Sequence, residues 1–263
     1  MNLSEIIFLG SLQGIIEWLP ISSQGNITLL LVEFFNLEYM TAINLSIILH
    51  TGTTLAAIVY FRNELYDIIK NNNEKINELT NNIRTFLIVS TLTTGLLGYI
   101  IYNNLSSFNF STEILIALIG SALIISGIIQ KTSQNYRIAN KKDLNIKDAI
   151  LIGIVQSFSV MPGISRSGIT VSYLLLRGID VTKSIRISVL MSIPTILGTQ
   201  IGLIMIQGFD KFPMTNILAG ILSSFLVGLL TINLILKLAK KIQFWIFCIV
   251  IGIISFLPLI VIL

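Results

Sequence analysis

LPISSQG at residues 19–25 has a second copy in the chain, PGISRSG at residues 162–168. The copies belong to a longer correspondence in which five residues recur 143 positions later. Gly10, Gln13, Ile21, Ser22 and Gly25 return as Gly153, Gln156, Ile164, Ser165 and Gly168. Both copies are polar, glycine-containing interruptions of apolar sequence. Interruptions of this kind predict loops whose amides and hydroxyls converge on something polar.

The composition indicates an integral membrane protein. Of the 263 residues, 54% are hydrophobic and 11% are charged, whereas soluble domains carry about 25% charged residues. Six stretches are apolar over the roughly 20 residues that a crossing helix needs: 43–61, 84–103, 112–131, 185–206, 214–236 and 242–263. We therefore expect one all-α membrane domain over residues 1–263, with the bilayer and not nucleic acid as its partner.

Two further apolar regions, residues 3–37 and 147–177, are each interrupted by one copy of the motif. Pro20 and Pro162 end a helix near the interruption, and Gly25 and Gly168 allow the following turn. Each region thus predicts a re-entrant hairpin of two half-length helices, buried inside the bundle because lipid offers no hydrogen-bond partners.

The two halves of the chain predict an inverted repeat. Residues 1–131 hold one hairpin and three spans, and residues 147–263 hold the same set. Because three crossings are an odd number, the second repeat is inserted upside down relative to the first.

Basic residues predict the orientation. Fifteen of the 17 fall on one side of this topology, in segments 62–84, 131–147, 177–186 and 237–241. The positive-inside rule makes that side cytoplasmic. We expect a multi-pass protein of the cell membrane, with both termini and the opening of the first hairpin outside.

Glu17 and Arg166 are the ionisable side chains in the interior of the two interrupted regions, one from each copy. An unpaired charge in hydrocarbon is costly, so we expect both to face a polar cavity and function there. The alternative is a structural ion pair that locks the hairpins together.

Four serines accompany these charges: Ser22, Ser23, Ser165 and Ser167. Each alone is compatible with simple packing between helices. As a group, with Arg166 and the amides of the following helix N-termini, they predict a pocket for phosphate or diphosphate. Gln13 lies four residues before Glu17 and so shares its helix face; Glu17 is a candidate general base or ligand of a divalent cation.

His50, the only histidine, lies in the first predicted span. We interpret it as a buried, hydrogen-bonded histidine, with an accessory catalytic role as the alternative.

QGIIEWLPISSQG at residues 13–25 resembles the first motif of the undecaprenyl-diphosphate phosphatases, also called bacitracin-resistance proteins, and PGISRSG resembles their second motif. Similarity continues through residues 50–53 and 60–62, and the hydropathy matches over nearly the whole length. The resemblance implies an inverted-repeat membrane enzyme that removes the terminal phosphate of a C55 polyprenyl diphosphate. This reaction recycles the lipid carrier for cell-wall glycans.

The resemblance also implies residue roles. Ser23 takes the place of the nucleophile, Glu17 that of the motif's second glutamate and Arg166 that of the phosphate-binding arginine. Substrate binding falls to the polar and glycine positions around them: Gln13, Ser22, Gly25, Asn26, Ser165, Ser167 and Gly168. A divalent cation, Mg²⁺ or Ca²⁺, is implied as a cofactor, with Glu17 as its ligand.

This chain departs from the family pattern at Gln13, where a first glutamate is usual, and at Asn26, where histidine is usual. Asparagine cannot take a proton at neutral pH. Any general-base role therefore passes to Glu17, to His50 or to no residue.

We expect hydrolysis of a polyprenyl diphosphate at a site open to the external face, with Ser23 attacking the terminal phosphorus or positioning water to do so. A lipid flippase or transporter of the same fold is the alternative, since inverted repeats with broken helices are a transporter design. A structural membrane subunit is a third. The sequence leaves the oligomeric state open and is compatible with a homodimer.

Overall fold

The computed structural model describes residues 1–70, 83–107, 112–135, 144–161, 163–207, 212–238 and 243–256. Within these ranges the regular structure is helical, with no strand. The α-helices are α1 Leu3–Ile16, α2 Ser23–Phe35, α3 Tyr39–Tyr60, α4 Arg62–Lys70, α5 Ile83–Ser107, α6 Thr112–Asn135, α7 Ile146–Ser157, α8 Arg166–Leu176, α9 Val181–Gln207, α10 Met214–Leu238 and α11 Phe244–Ile254. A 3₁₀ turn, Phe158–Val160, extends α7.

Five of the six predicted spans coincide with helices long and apolar enough to cross a bilayer, namely α3, α5, α6, α9 and α10. The prediction for residues 242–263 falls on α11, whose apolar segment Trp245–Ile254 is shorter. Residues 257–263 lie outside the described part of the chain. A multi-pass membrane protein follows from these lengths and compositions.

Each interrupted region contains two short helices, as the motif predicts. Helices α1, α2, α7 and α8 hold 14, 13, 12 and 11 residues. At 1.5 Å per residue none of them reaches across about 30 Å of hydrocarbon. Helix α1 ends at Ile16, before Pro20, whereas Pro162 lies outside the described residues.

The two halves begin with the same cap. Asn2 caps α1 and forms a capping box with Glu5, while Asn145 caps α7 and forms one with Asp148. Asn145 lies 143 positions after Asn2, and Asp148 lies 143 positions after Glu5. The capping box that starts the first helix of each interrupted region is therefore duplicated along with the motif.

Helices of one half of the chain pack against helices of the other half. Helix α1 packs on α10, and α7 packs on α5. Glycines make both approaches close: a Cβ at Gly10 would collide with the Gly220 carbonyl, and one at Gly153 would lie 2.8 Å from the Ser90 carbonyl oxygen. The first helix of each half is thus held by a long helix of the other half.

Long helices hold the two motif loops in place. The indole of Trp18, beside Glu17, donates to the Gly228 carbonyl of α10 at 3.2 Å. The Gln130 amide of α6 donates to the Pro20 carbonyl at 2.7 Å. In the second loop, the Ser165 amide donates to the Ser126 hydroxyl of α6 at 3.2 Å. These bonds fix the loops where their side chains meet.

Candidate active site

The two motif copies meet through an ion pair. Arg166 Nη2 lies 2.6 Å from Glu17 Oε1, and the Glu17 side chain is only 3% exposed. Glu17 closes the end of α1, and Arg166 is the first residue of α8. The pair foreseen as a structural alternative therefore forms, and it stands in the wall of a cavity.

The second carboxylate oxygen of Glu17 contacts three more polar side chains. Glu17 Oε2 accepts from Gln13 Nε2 at 2.8 Å and from the Ser23 hydroxyl at 2.6 Å. His50 Nε2 lies 3.1 Å from the same oxygen. The four-residue spacing of Gln13 and Glu17 produces the expected contact, because such residues share a helix face.

His50 reaches the site from α3. Its Nε2 lies 3.2 Å from Ser23 Oγ, and its Nδ1 lies 2.6 Å from the Ser46 carbonyl oxygen. Because a carbonyl only accepts, Nδ1 carries a proton and Nε2 faces Ser23. His50 is buried and hydrogen-bonded, as the sequence suggested. It also touches the predicted nucleophile, a contact that no motif spacing revealed.

Both motif loops present a helix N-terminus to the site. Ser23 begins α2 and Arg166 begins α8, at equivalent positions of the repeat. The first-turn N–H groups of a helix have no intrahelical partners and favour anions. Ser22, directly before Ser23, has a left-handed backbone with φ 60. Such strain in a serine clusters at functional sites.

A cavity of about 330 Å³ opens from this cluster. The predicted site residues that line it are Glu17, Ser22, Ser23, His50, Ser165, Arg166 and Ser167. Most of its other lining residues belong to α3, α5 and α9, and they include Thr91, Thr94 and Thr195. Gln156, the repeat partner of Gln13, donates to Thr94 and Thr195. Because Gln156 corresponds to Gln13 in the repeat, the sequence contained a signal that Gln156 lies near the site.

Four of the residues predicted to bind substrate, Gln13, Gly25, Asn26 and Gly168, lie behind the residues that line the cavity. Asn26 Nδ2 donates to the carbonyls of Ile21 and Ser22, at 2.7 and 2.9 Å. A Cβ at Gly25 would lie 2.6 Å from the Gly163 nitrogen, so glycine lets the loops touch. Gln13 is fully buried behind Glu17.

The donor set does not fit a divalent cation at Glu17. Both carboxylate oxygens already accept hydrogen bonds, and a guanidinium lies beside them. Hard cations take oxygen ligands whose lone pairs are free. Among the described residues no three His, Cys, Asp or Glu side chains are grouped as metal ligands.

Taken together, the long apolar helices and a buried cluster of serine, imidazole and guanidinium around one carboxylate define a multi-pass membrane protein with a polar site in its interior. Residues 6–257 match the family described as bacitracin resistance protein BacA, and the chain belongs to that family.

Relatives of this chain match it over nearly its whole length. The undecaprenyl-diphosphatase of Methanococcoides burtonii is 39% identical, over 98% of this chain and 99% of its own. Those of Methanothrix thermoacetophila and Haloarcula marismortui are 34% and 31% identical, over 97% and 94% of this chain and 96% and 93% of theirs.

Proposed function

We propose that this protein hydrolyses undecaprenyl diphosphate, or a related polyprenyl diphosphate, to the monophosphate and inorganic phosphate. The observation that carries the proposal is the contact of Ser23 with Glu17 and His50, beside Arg166 in the cavity wall. The names of the relatives supply the substrate class. No feature of the described residues favours the flippase alternative.

Ser23 attacks the terminal phosphorus in this proposal. Arg166 and the first-turn amides of α2 and α8 stabilise the charge that builds on the equatorial oxygens. Arg166 Nη1 supports this role, because it is buried and has no hydrogen-bond partner in the described structure. A phosphate oxygen satisfies that donor.

The prenyl chain lies in the apolar part of the cavity. Met40, Ile43 and Ile47 of α3 form one wall. Gly95 of α5 and Gly198 of α9 also line the cavity, in a groove where an added Cβ would meet nothing within 4 Å. A hydrocarbon tail stabilises its binding by about 0.8 kcal/mol per buried CH₂. An open apolar groove next to an anion site suits a lipid diphosphate.

The inverted repeat of six spans and two re-entrant hairpins is part of the proposal. Support comes from the duplicated caps and from the exchanged pairs α1–α10 and α7–α5. The cavity extends toward the beginning of α3 and the ends of α5 and α9. The distribution of basic residues makes that side external, so the site opens outside.

Phosphate release from C55 diphosphate by the purified protein tests the function. We expect release by the wild type and a loss of about 100-fold or more in both Ser23→Ala and Arg166→Ala. Ser11→Ala is the matched control, since the Ser11 hydroxyl bonds only the Ile7 carbonyl of its own helix in the described contacts. Full activity in both variants contradicts the residue roles, and lipid translocation without phosphate release contradicts hydrolysis.

A further inference from the structure

We propose that His50 is the catalytic residue that takes the proton of Ser23, an inference that rests on the proposed hydrolysis. The contact between His50 Nε2 and Ser23 Oγ, at 3.2 Å, is within reach for proton transfer. No motif places these residues together, because His50 comes from the middle of α3 and Ser23 from the start of α2.

The α3 backbone prepares the imidazole for this role. The Ser46 carbonyl, one turn earlier, accepts from Nδ1 at 2.6 Å and so fixes the tautomer. In the neutral ring the Nε2 lone pair then faces the Ser23 hydroxyl. Ser23 as nucleophile, His50 as base and the Ser46 carbonyl that orients the base are thereby connected by successive contacts.

Glu17 is the competing acceptor, and its other contacts argue against it. Its bond to Ser23 is short, at 2.6 Å, but its Oε1 pairs with Arg166 and its Oε2 also accepts from Gln13. Protonating Glu17 would leave the buried guanidinium without a counter-charge, which is strongly unfavourable. Glu17 therefore stays ionised, and the Ser23 hydroxyl rotates from Glu17 Oε2 to His50 Nε2, 3.2 Å from its Oγ, before the proton is transferred.

The same carboxylate stabilises the product of proton transfer. Glu17 Oε2 lies 3.1 Å from His50 Nε2, so an imidazolium there has an anion in contact. Among the described residues, the other titratable side chains that line the cavity are Arg166, Tyr99 and Tyr102. The described side chains that α9 and α10, which pack on α3, contribute to the cavity wall include no titratable group.

The Ser23 O–H bond breaks, its proton moves to His50 Nε2, and Oγ bonds to the terminal phosphorus. The bond from phosphorus to the bridging oxygen breaks, and its electron pair leaves with the polyprenyl monophosphate, which takes the proton from His50. Water then gives a proton to His50 and attacks the phosphoserine. Ser23 Oγ leaves and recovers the proton, so one water is consumed.

The first test is the pH profile of kcat/KM for wild type and His50→Gln. We expect His50→Gln to lose about 10²- to 10⁴-fold. We also expect the wild-type decline on the acid side to disappear in the variant, because glutamine has no proton to gain. Thr132→Ala, on the exposed face of α6, is the control that keeps both the rate and the profile. An unchanged acid limb in His50→Gln overturns the inference.

A second measurement uses the wild type and tests the inference even if His50→Gln fails to fold. His50 is the only histidine in the chain, so nitrogen-15 histidine labelling of the tag-free wild type reports one imidazole. Its titration midpoint should coincide with the acid limb of kcat/KM, and a mismatch overturns the inference. Failure of the proposed function looks different, since the wild type then releases no phosphate at any pH.

Discussion

Glu17 receives side chains from four separate stretches of the chain. Gln13 belongs to its own helix, Ser23 to the next helix, His50 to α3 and Arg166 to the second half. A buried carboxylate is stable when opposite charge and hydrogen bonds replace its lost water. The contacts that stabilise Glu17 therefore also assemble the site around Ser23.

Removing the charge of Glu17 separates stability from catalysis. Glu17→Gln leaves Arg166 buried without an anion, and we expect a loss of about 3 kcal/mol in the free energy of unfolding together with loss of activity. The double variant Glu17→Gln, Arg166→Gln should recover stability and stay inactive. Denaturation in detergent and phosphate release measure the two effects. A double variant no more stable than the single one contradicts this account.

Asn26→His tests whether an imidazole is missing from the first loop. The Asn26 amide holds two loop carbonyls, so its loss should cost about 1–2 kcal/mol of stability and bring no gain in turnover. Asn26→Asp, which also lacks the amide donors, is the matched control for the stability loss. A large gain in phosphate release by Asn26→His shows that His50 does not replace the family histidine.

At the scale of helices, the prediction from sequence was successful where composition decides. The breaks at the two motifs and five long apolar helices appear where apolar runs and glycines indicated them. The approach of His50 to Ser23 was not predictable, because it depends on which face of α3 meets the first hairpin. The hydrogen bonds from Asn26 to the loop carbonyls likewise depend on the left-handed backbone at Ser22, which the sequence does not reveal.

The groove between α5 and α9 predicts a selective effect on the lipid. Gly198→Leu adds bulk where no neighbour lies within 4 Å, so folding should be retained while the groove narrows. We expect KM for the C55 diphosphate to rise about tenfold or more, with little change for a short-chain prenyl diphosphate. Leu222→Phe adds bulk on the exposed face of α10 as a control. Equal effects on both substrates contradict a tail groove here.

At the scale of the whole molecule, the proposed inversion has a direct test. Ser4 and Lys147 are equivalent positions of the repeat, and both are exposed at the start of a hairpin. A membrane-impermeant thiol reagent should label Ser4→Cys from outside intact cells and Lys147→Cys only after permeabilisation. The natural Cys248 is buried and should stay unlabelled. Labelling of both introduced cysteines from the same side refutes the inverted repeat.

The ion pair between the two motif copies has a consequence for biosynthesis. Arg166 leaves the ribosome 149 residues after Glu17, so a nascent fragment holds an acidic group in the membrane with no cation beside it. The glycine face of α1 packs against α10, which is translated later still. The contacts around Glu17 and along α1 are therefore complete only after most of the second half has been synthesised.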